Sequence, residues 1–175
     1  MAVLSNRVMK LILSGATAAA ILSGFLSEKE GNTLKAVVDP GGVWSICHGI
    51  TVIEGQRVKQ GLTLTAAQCE KYNEVEAQKA IDWVEGNVKI PLSEPQKAGI
   101  ASFCPYNIGP GKCFPSTFFK YLNQGKRLEA CAQIRRWIFD GGKDCRLTKG
   151  QKDGCYGQVE RRDQESALAC WGIDQ

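Results

Sequence analysis

Histidine and closely spaced cysteine pairs are scarce in this sequence. Its 175 residues include one histidine, His48, and no Cys-x-x-Cys pair, so the usual signatures of a zinc site are missing. Clusters of basic residues are also missing: the formal net charge is +4 and falls to about +2 without Arg7 and Lys10. We therefore expect neither a bound metal nor a nucleic-acid partner.

Charge is absent from Leu11 to Ser27, directly after Arg7 and Lys10. This run of about 17 residues is at the lower limit for a helix that crosses a bilayer, and much of it is Ala, Gly, Ser and Thr. Its small residues around Ala16 to Ala20 favour a cleaved signal peptide, although apolar residues continue beyond them. A permanent anchor is the alternative, and the weak hydrophobicity of the run opposes it.

Eight cysteines in an exported chain indicate disulfides. About 105 pairings are open to them. The spacing favours Cys104–Cys113 and Cys145–Cys155 as short loops. It also favours Cys47–Cys69 as a link from the hairpin to the next helix and Cys131–Cys170 as a link between C-terminal helices.

Apolar periodicity predicts a mostly helical α+β chain. Thr65 to Glu85 has the pattern of a long amphipathic helix, and the segment beginning at Ser93 has the pattern of a capping box. Helices are also predicted from Ser116, over Leu128–Phe139 and over about Gln158–Trp171. We divide the chain into an N-terminal segment, residues 1–27, and a single domain, residues 28–175.

Two acids and a hydroxyl in the first third of the chain suggest glycosidic bond cleavage, which needs one carboxylic acid to protonate the leaving oxygen and a second carboxylate. Glu30 and Asp39 are nine positions apart, and Ser45 follows six positions later. Asp39 to Gly42 fits a type II turn between two strands. Ideal pairing around that turn would place Ser45 and Asp39 on opposite faces of the hairpin. A shared site therefore requires a bulge or a turn that redirects Asp39.

This Glu-x8-Asp-x5-hydroxyl spacing resembles the catalytic signature of the phage-type lysozymes, glycoside hydrolase family 24. The resemblance covers roughly residues 28 to 173 and includes the stretches LSEPQKAGIASFCPYNIG, STFFKYLNQG, CAQIRRWIFDGGK and QVERRDQESALACWG. Two positions depart from the family: Ser45 replaces the usual Thr, and Ile50 occupies the place of the family histidine.

The resemblance implies a lysozyme-like fold, in which a small β-hairpin lobe is joined by a long helix to a helical, disulfide-stapled C-terminal lobe. It implies a muramidase that hydrolyses the β-1,4 bond between N-acetylmuramic acid and N-acetylglucosamine in peptidoglycan, with inversion, for host lysis. Glu30 would be the general acid, Asp39 the base, and Ser45 would hold the water. Two carboxylates and water need no cofactor, and we expect a monomer.

The uncharged N-terminal run resembles the signal-anchor-release segments of some phage endolysins. Such a segment is exported, held in the inner membrane through residues 11–27, and then released into the periplasm. A membrane-embedded segment would keep Glu30 at the lipid surface, and after release the same residues would form the first helix. Residues 1 to 46 contain no cysteine, which disfavours caging of the site by an anchor cysteine.

Several further residues have both a functional and a structural interpretation. Asn107, Ser116 and Thr117 would line the sugar cleft or serve as helix ends and caps. Of Arg161 and Arg162, one would reach the Glu30 region, or both would pair on the surface with Glu160 or Glu165.

Two other functions remain open. The same scaffold would suit a non-catalytic, disulfide-stapled protein that binds the cell wall. A cysteine-dependent hydrolase would need a free thiol. Cys47 and His48 are adjacent in a predicted strand and point to opposite faces, so we expect a structural role for His48.

Overall fold

Eight α-helices and six short strands form the part of the chain that this computed structural model describes, residues 4–39 and 41–173. The helices are α1 Asn6–Leu13, α2 Ala18–Lys29, α3 Ala66–Asn87, α4 Glu94–Ala101, α5 Pro110–Cys113, α6 Thr117–Asn123, α7 Arg127–Ile134 and α8 Tyr156–Ala169. The strands are β1 Thr33–Val38, β2 Trp44–Cys47, β3 Val52–Ile53, β4 Gln56–Arg57, β5 Phe139–Asp140 and β6 Lys143–Asp144, paired as three antiparallel hairpins. This confirms the predicted α+β, mostly helical class.

Two apolar cores correspond to the two predicted lobes. The hairpin core is small and consists of Ile46, Cys47, Ile50, Val58 and Cys69. The helical core draws on α1, α2, α3, α4 and the C-terminal helices. The long helix α3 belongs to both cores, because Cys69 near its start packs in the first while Ala77 to Val84 pack in the second.

The N-terminal segment forms two helices that pack into the helical core. The chain breaks between them at Gly15, whose φ of +72° suits glycine. Ile21, Leu22 and Phe25 of α2 are fully buried. In the described part of the chain no helix combines the length and apolar character that a bilayer crossing requires.

Polar contacts hold the start of α2. The Thr17 hydroxyl accepts a hydrogen bond from the Ala20 amide at 3.3 Å, which is the usual N-cap geometry. A second acceptor comes from α4, where Glu94 Oε2 accepts from the Ala18 amide at 2.6 Å. Lys97 donates to Glu94 at 2.9 Å, and this bond and then the Ala18 amide lower the pKa of Glu94.

The eight cysteines form the four pairs that the spacing favours: Cys47–Cys69, Cys104–Cys113, Cys131–Cys170 and Cys145–Cys155. No cysteine is free. The thiol-dependent hydrolase is therefore excluded, because it would need an unpaired Cys47 or another free thiol.

One predicted helix is shorter than the sequence expectation, and another changes its winding. The helix predicted over Leu128–Phe139 stops at Ile134, and the chain continues into the β5–β6 hairpin, whose turn contains Gly141 and Gly142 with positive φ. Beyond Ala101, α4 continues as a π-helix over Ser102–Ile108 with Pro105 inside it. The wider π-helical turn accommodates a residue that lacks an amide donor.

Helices α4 and α8 touch at Gly99. A Cβ on Gly99 would lie 2.5 Å from the Ala169 amide nitrogen and 2.6 Å from Leu168 Cβ. We expect Gly99→Ala to lower the free energy of unfolding by about 1–3 kcal/mol, since the overlap is with backbone that has little room to move. Urea unfolding measures the change.

Gly157→Ala is the matched control. Gly157 lies in α8, and a Cβ there meets no atom within 4 Å. Alanine at this site should leave stability unchanged or raise it by up to about 1 kcal/mol. Equal effects of the two substitutions would show that the α4–α8 contact at Gly99 is not tight.

Candidate active site

Glu30 stands where α2 ends and the chain turns toward β1. Its amide donates to the Leu26 carbonyl at 2.8 Å, and its own extended backbone, with ψ of 136°, leads to the strand. The Glu30 side chain is 25% exposed, and its Oε1 accepts a hydrogen bond from Arg161 Nη1 at 2.6 Å. A residue 131 positions later in the chain therefore fixes the direction of this carboxylate.

Arg161 is shared between two acids. Its Nε donates to Glu165 Oε1 at 3.0 Å, and the same oxygen accepts from Ser102 Oγ at 2.7 Å. Glu165 is fully buried, so this acid has no access to water and depends on its partners. Burial lowers the pKa of Arg161, but Glu165 and Glu30 raise it, and the net shift is upward. The guanidinium therefore stays charged beside Glu30.

Arg162 completes the network at the other carboxylate oxygen of Glu165. Its Nη1 donates to Glu165 Oε2, its Nη2 donates to Asn107 Oδ1, and its Nε donates to the Trp137 carbonyl at 3.2 Å. Arg162 is 1% exposed, so the predicted surface pairing is wrong for this residue. The pairing with Glu165 is present, and it is buried.

Asp39 and Ser45 lie on one face of the first hairpin. Val37 pairs with Ser45 across β1 and β2, and Asp39, two residues beyond Val37, shares its face. The Asp39 amide donates to the Val43 carbonyl at 3.0 Å, so the turn contains one more residue than ideal two-residue pairing allows. This extra residue resets the register. The predicted type II turn includes Pro40, which lies outside the described residues.

The Asp39 side chain also stabilises its own turn. Its Oδ1 accepts from the Val43 amide at 2.8 Å, and Gly42 follows with a φ of +82°. Asp39 therefore has the turn role that is common for aspartate, and its role as the base stays a prediction.

A cavity of about 750 Å³ lies between the two lobes. Its wall includes His48 from the hairpin lobe, Tyr72 and Trp83 from α3, and Tyr106 from the π-helix. Glu30, Asp39 and Ser45 are not among the described residues of this wall, although, beside the larger effect of burial, the charge of Glu30 acts to raise the pKa of both His48 and Tyr106. The volume is that of a site for a ligand of several rings.

A direct hydrogen bond joins the lobes at this cavity. The Tyr106 hydroxyl donates to the His48 carbonyl at 2.9 Å, and burial, followed by the charge of Glu30, raises the pKa of Tyr106. Tyr106 therefore remains a neutral donor. The backbone amide of His48 donates in turn to Asn73 Oδ1 of α3 at 3.2 Å.

His48 has the structural surroundings that the sequence suggested. It is 8% exposed, and burial lowers the pKa of its imidazole, an effect that Glu30 partly offsets. Ile50, at the position of the family histidine, packs in the hairpin core.

The three residues of the C-terminal lobe that were predicted to line the sugar cleft differ in their surroundings. Asn107 is exposed, with its Oδ1 held by Arg162. Ser116 is buried and caps α6, since its hydroxyl accepts from the Phe119 amide at 3.1 Å and donates to the Cys113 carbonyl at 2.6 Å. Thr117 is exposed at the start of α6. Substrate contact through these residues stays a prediction.

Sequence reasoning missed Tyr106 and Asn73, which connect the hairpin lobe to the rest of the molecule. The signal that could have identified Tyr106 is its position as an aromatic residue directly before Asn107, near the end of a helix that closes on Gly109. Asn73 has no comparable signal, because it is one of many polar residues on α3.

Comparisons with known proteins identify the family and agree with the fold. The family model described as Phage lysozyme matches residues 27–165. A SAR-endolysin of Escherichia phage N15 is 66% identical over 172 residues, covering 98% of this chain and 97% of that protein. A SAR-endolysin of Escherichia phage 933W is 58% identical over 172 residues, covering 98% and 96%. The crystal structure of a P22 lysozyme mutant superposes with a TM-score of 0.67 at 28% identity, covering 84% of this chain and 93% of that one.

The two-lobed fold and the match to the family model define a glycoside hydrolase of the lysozyme class. The chain belongs to the phage lysozyme family. It is a lytic muramidase, an endolysin, and its substrate class is peptidoglycan.

The lowered pKa of His48 predicts a loss of stability in acid. The unfolded chain, with a histidine pKa near 6.5, binds the proton more tightly than the folded chain. The contribution is therefore present above about pH 6.5 and is lost as the pH falls toward the lower folded pKa. Urea unfolding at pH 7.5 and pH 5 should show a smaller drop for His48→Gln than for the unmodified protein.

The imidazole of His48 gives a direct check, because it is the only one in the chain. Its proton resonances should titrate below the ordinary value in NMR. A titration at or above that value would contradict the expected pH dependence.

Proposed function

We propose that Glu30 is the general acid of this muramidase and that Asp39, assisted by Ser45, activates the attacking water. The bond cut is the β-1,4 link between N-acetylmuramic acid and N-acetylglucosamine, with inversion. The observation that carries this proposal is the fixed carboxylate of Glu30, which stands between the end of α2 and β1 and accepts from Arg161 Nη1 at 2.6 Å. The hairpin register, which puts Asp39 and Ser45 on one face, supports the role of that pair.

The two carboxylates are held in a way that suits separate roles. Glu30 belongs to the junction with the helical lobe, whereas Asp39 lies at the far end of β1. A space between them is what an inverting hydrolase needs, because a water molecule must fit between the base and the sugar. The irregular pairing between Thr33 and Val37 is a point where β1 can bend toward the cavity.

Glu30→Gln keeps the size of the side chain and removes the transferable proton. We expect about 100-fold to 10,000-fold slower clearing of purified peptidoglycan, with the remaining protein folded, because general acid catalysis contributes a factor of that order. Turbidity follows the rate, and mass spectrometry identifies new reducing muramic ends.

Glu160→Gln is the control, because Glu160 is an exposed acid on α8 and lies outside the proposed site. Its clearing rate should match that of the unmodified protein. If the unmodified, oxidised protein binds the wall and releases no fragments, the non-catalytic wall-binding alternative replaces the muramidase mechanism.

We further propose that the N-terminal segment is exported, held in the inner membrane of the host, and then released to the periplasm without cleavage. Two relatives are named SAR-endolysins, which supports this topology. Burial of Val8, Ile21, Leu22 and Phe25 argues against cleavage, since a cleaved chain would lose these parts of its core. In the bilayer the segment would be one continuous helix, with its break at Gly15 formed after release.

Cell fractionation tests the topology. We expect the full chain in the membrane pellet of energised cells and, after dissipation of the membrane potential, in the soluble periplasmic fraction with unchanged mass. A shorter mass would indicate a cleaved signal peptide, and retention in the pellet would indicate a permanent anchor. A chain limited to residues 28–175 should neither fold stably nor clear the wall, because it lacks α1 and most of α2.

A further inference from the structure

A second groove lies beyond the interlobe cavity, between the end of α3 and the outer side of α6. Its volume is about 490 Å³, and nothing in the mechanism above uses it. We call it the basic–aromatic groove, after the residues that give it its character: Asn87, Lys89, Phe114, Phe119, Lys120 and Asn123.

The floor of this groove is fixed by hydrogen bonds. Asn123 Oδ1 accepts from the Lys89 amide at 2.7 Å, and Asn123 Nδ2 donates to the Asn87 carbonyl at 3.4 Å. Asn87 Nδ2 donates to the Trp83 carbonyl at 2.8 Å. The groove is therefore preformed, and a ligand would not have to order it.

One wall is an aromatic surface that the protein leaves open. Phe114 is 49% exposed, and its ring packs edge-on against Phe119 with centroids 5.4 Å apart. Trp83 supports both rings, with centroid distances of 5.1 Å to Phe114 and 5.8 Å to Phe119. Such rings bind methyl groups and the apolar faces of small molecules.

The charge of the groove has one sign. Lys89 and Lys120 are both exposed, and neither forms an ion pair within the described part of the chain. Lys79 and Lys97, by contrast, are paired with glutamates. The groove walls hold no acidic side chain among the described residues. The complementary ligand is therefore anionic.

Trp83 connects the wall of the interlobe cavity to the aromatic wall of the groove. Trp83 belongs to the wall of the interlobe cavity and also contacts Phe114 and Phe119. A polymer bound in the cavity would therefore have its side branches within reach of the groove. The glycan strand itself is uncharged, since its amino groups are acetylated and its lactyl carboxyls are in amide linkage. The carboxylates of peptidoglycan are on its peptide branches.

We propose that the basic–aromatic groove binds the carboxylate-bearing peptide branches of the wall polymer. This inference rests on the proposed action on peptidoglycan and adds a second point of recognition to it. Lys89 and Lys120 pair with the peptide carboxylates, and Phe114 packs against alanine methyl groups of the branch. The groove thereby distinguishes a peptide-bearing strand from a bare one.

The test compares two substrates: peptidoglycan with its peptides intact, and glycan from which an amidase has removed them. Hydrolysis of the amide leaves a lactyl carboxylate on the bare strand itself, so both substrates are anionic and only the first has carboxylates on branches. We expect the double variant Lys89→Gln/Lys120→Gln to raise the KM for the peptide-bearing wall about threefold to tenfold and to leave kcat unchanged. Its KM for bare glycan should equal that of the unmodified protein. Added salt should reduce the difference between the two proteins.

Lys143→Gln/Lys152→Gln is the control, because it removes the same charge from exposed positions outside the groove. Equal KM changes in both double variants would show general charge attraction and overturn the proposal. An unchanged KM for the groove variant, or equal changes on both substrates, would overturn it as well.

A binding experiment separates this proposal from the proposed function. A synthetic peptide branch with free carboxylates, titrated into the labelled full-length protein, should shift the backbone resonances of Lys89, Phe119 and Asn123, whereas its amidated form should not. These shifts do not depend on hydrolysis. Peptide-induced shifts without wall cleavage would support the groove proposal and reject the muramidase mechanism. Wall cleavage without peptide-induced shifts would support the muramidase mechanism and reject the groove proposal.

Discussion

The ion pair between Glu30 and Arg161 is the contact on which the proposed site depends, because it joins the end of α2 to α8. Arg161 cannot be considered alone, since it also binds Glu165, which Arg162 binds from the other side. Two acids and two guanidiniums make the group formally neutral. Burying them costs desolvation free energy that their attraction largely offsets, so the group adds specificity more than stability. It forms only when α2 and α8 are both in place.

That dependence makes the N-terminal segment part of the enzyme. Polar contacts hold α2 at both ends: Glu94 accepts from the Ala18 amide, and Arg161 donates to Glu30. Between these ends the helix is uncharged up to Ser27 and buries Ile21, Leu22 and Phe25. The apolar character that suits a bilayer also suits the core, and the two locations exclude each other. Under the proposed topology, neither end contact forms while the segment is embedded, so location controls the position of Glu30.

The sequence predicted local features well, but it did not predict the long-range ion pairs or the register of the hairpin. The extent of α3, the capping box at Ser93 and the cysteine pairs follow from periodicity, side-chain chemistry and spacing over short distances. The pairing of Arg161 does not, because the sequence offers Glu30 and Glu165 as alternatives, whereas the packed helices bring both acids to it. The hairpin register depended on one extra residue in the turn after Asp39. A pairing rule alone therefore put Ser45 on the wrong face, although the need for such a correction was visible.

The hairpin that carries Asp39 and Ser45 is held differently from Glu30. Its base is tied by the Cys47–Cys69 disulfide and by the bond from Tyr106 to the His48 carbonyl. Toward the tip, the strands bury little, since Val37, Val38 and Val43 are each about half exposed. Segments with few buried contacts open at low free energy, whereas the turn itself is kept rigid by the Asp39 side chain. Under the proposed roles, the half of the site that would position water can therefore move as a unit to admit a polymer, while Glu30 remains fixed to the helical lobe.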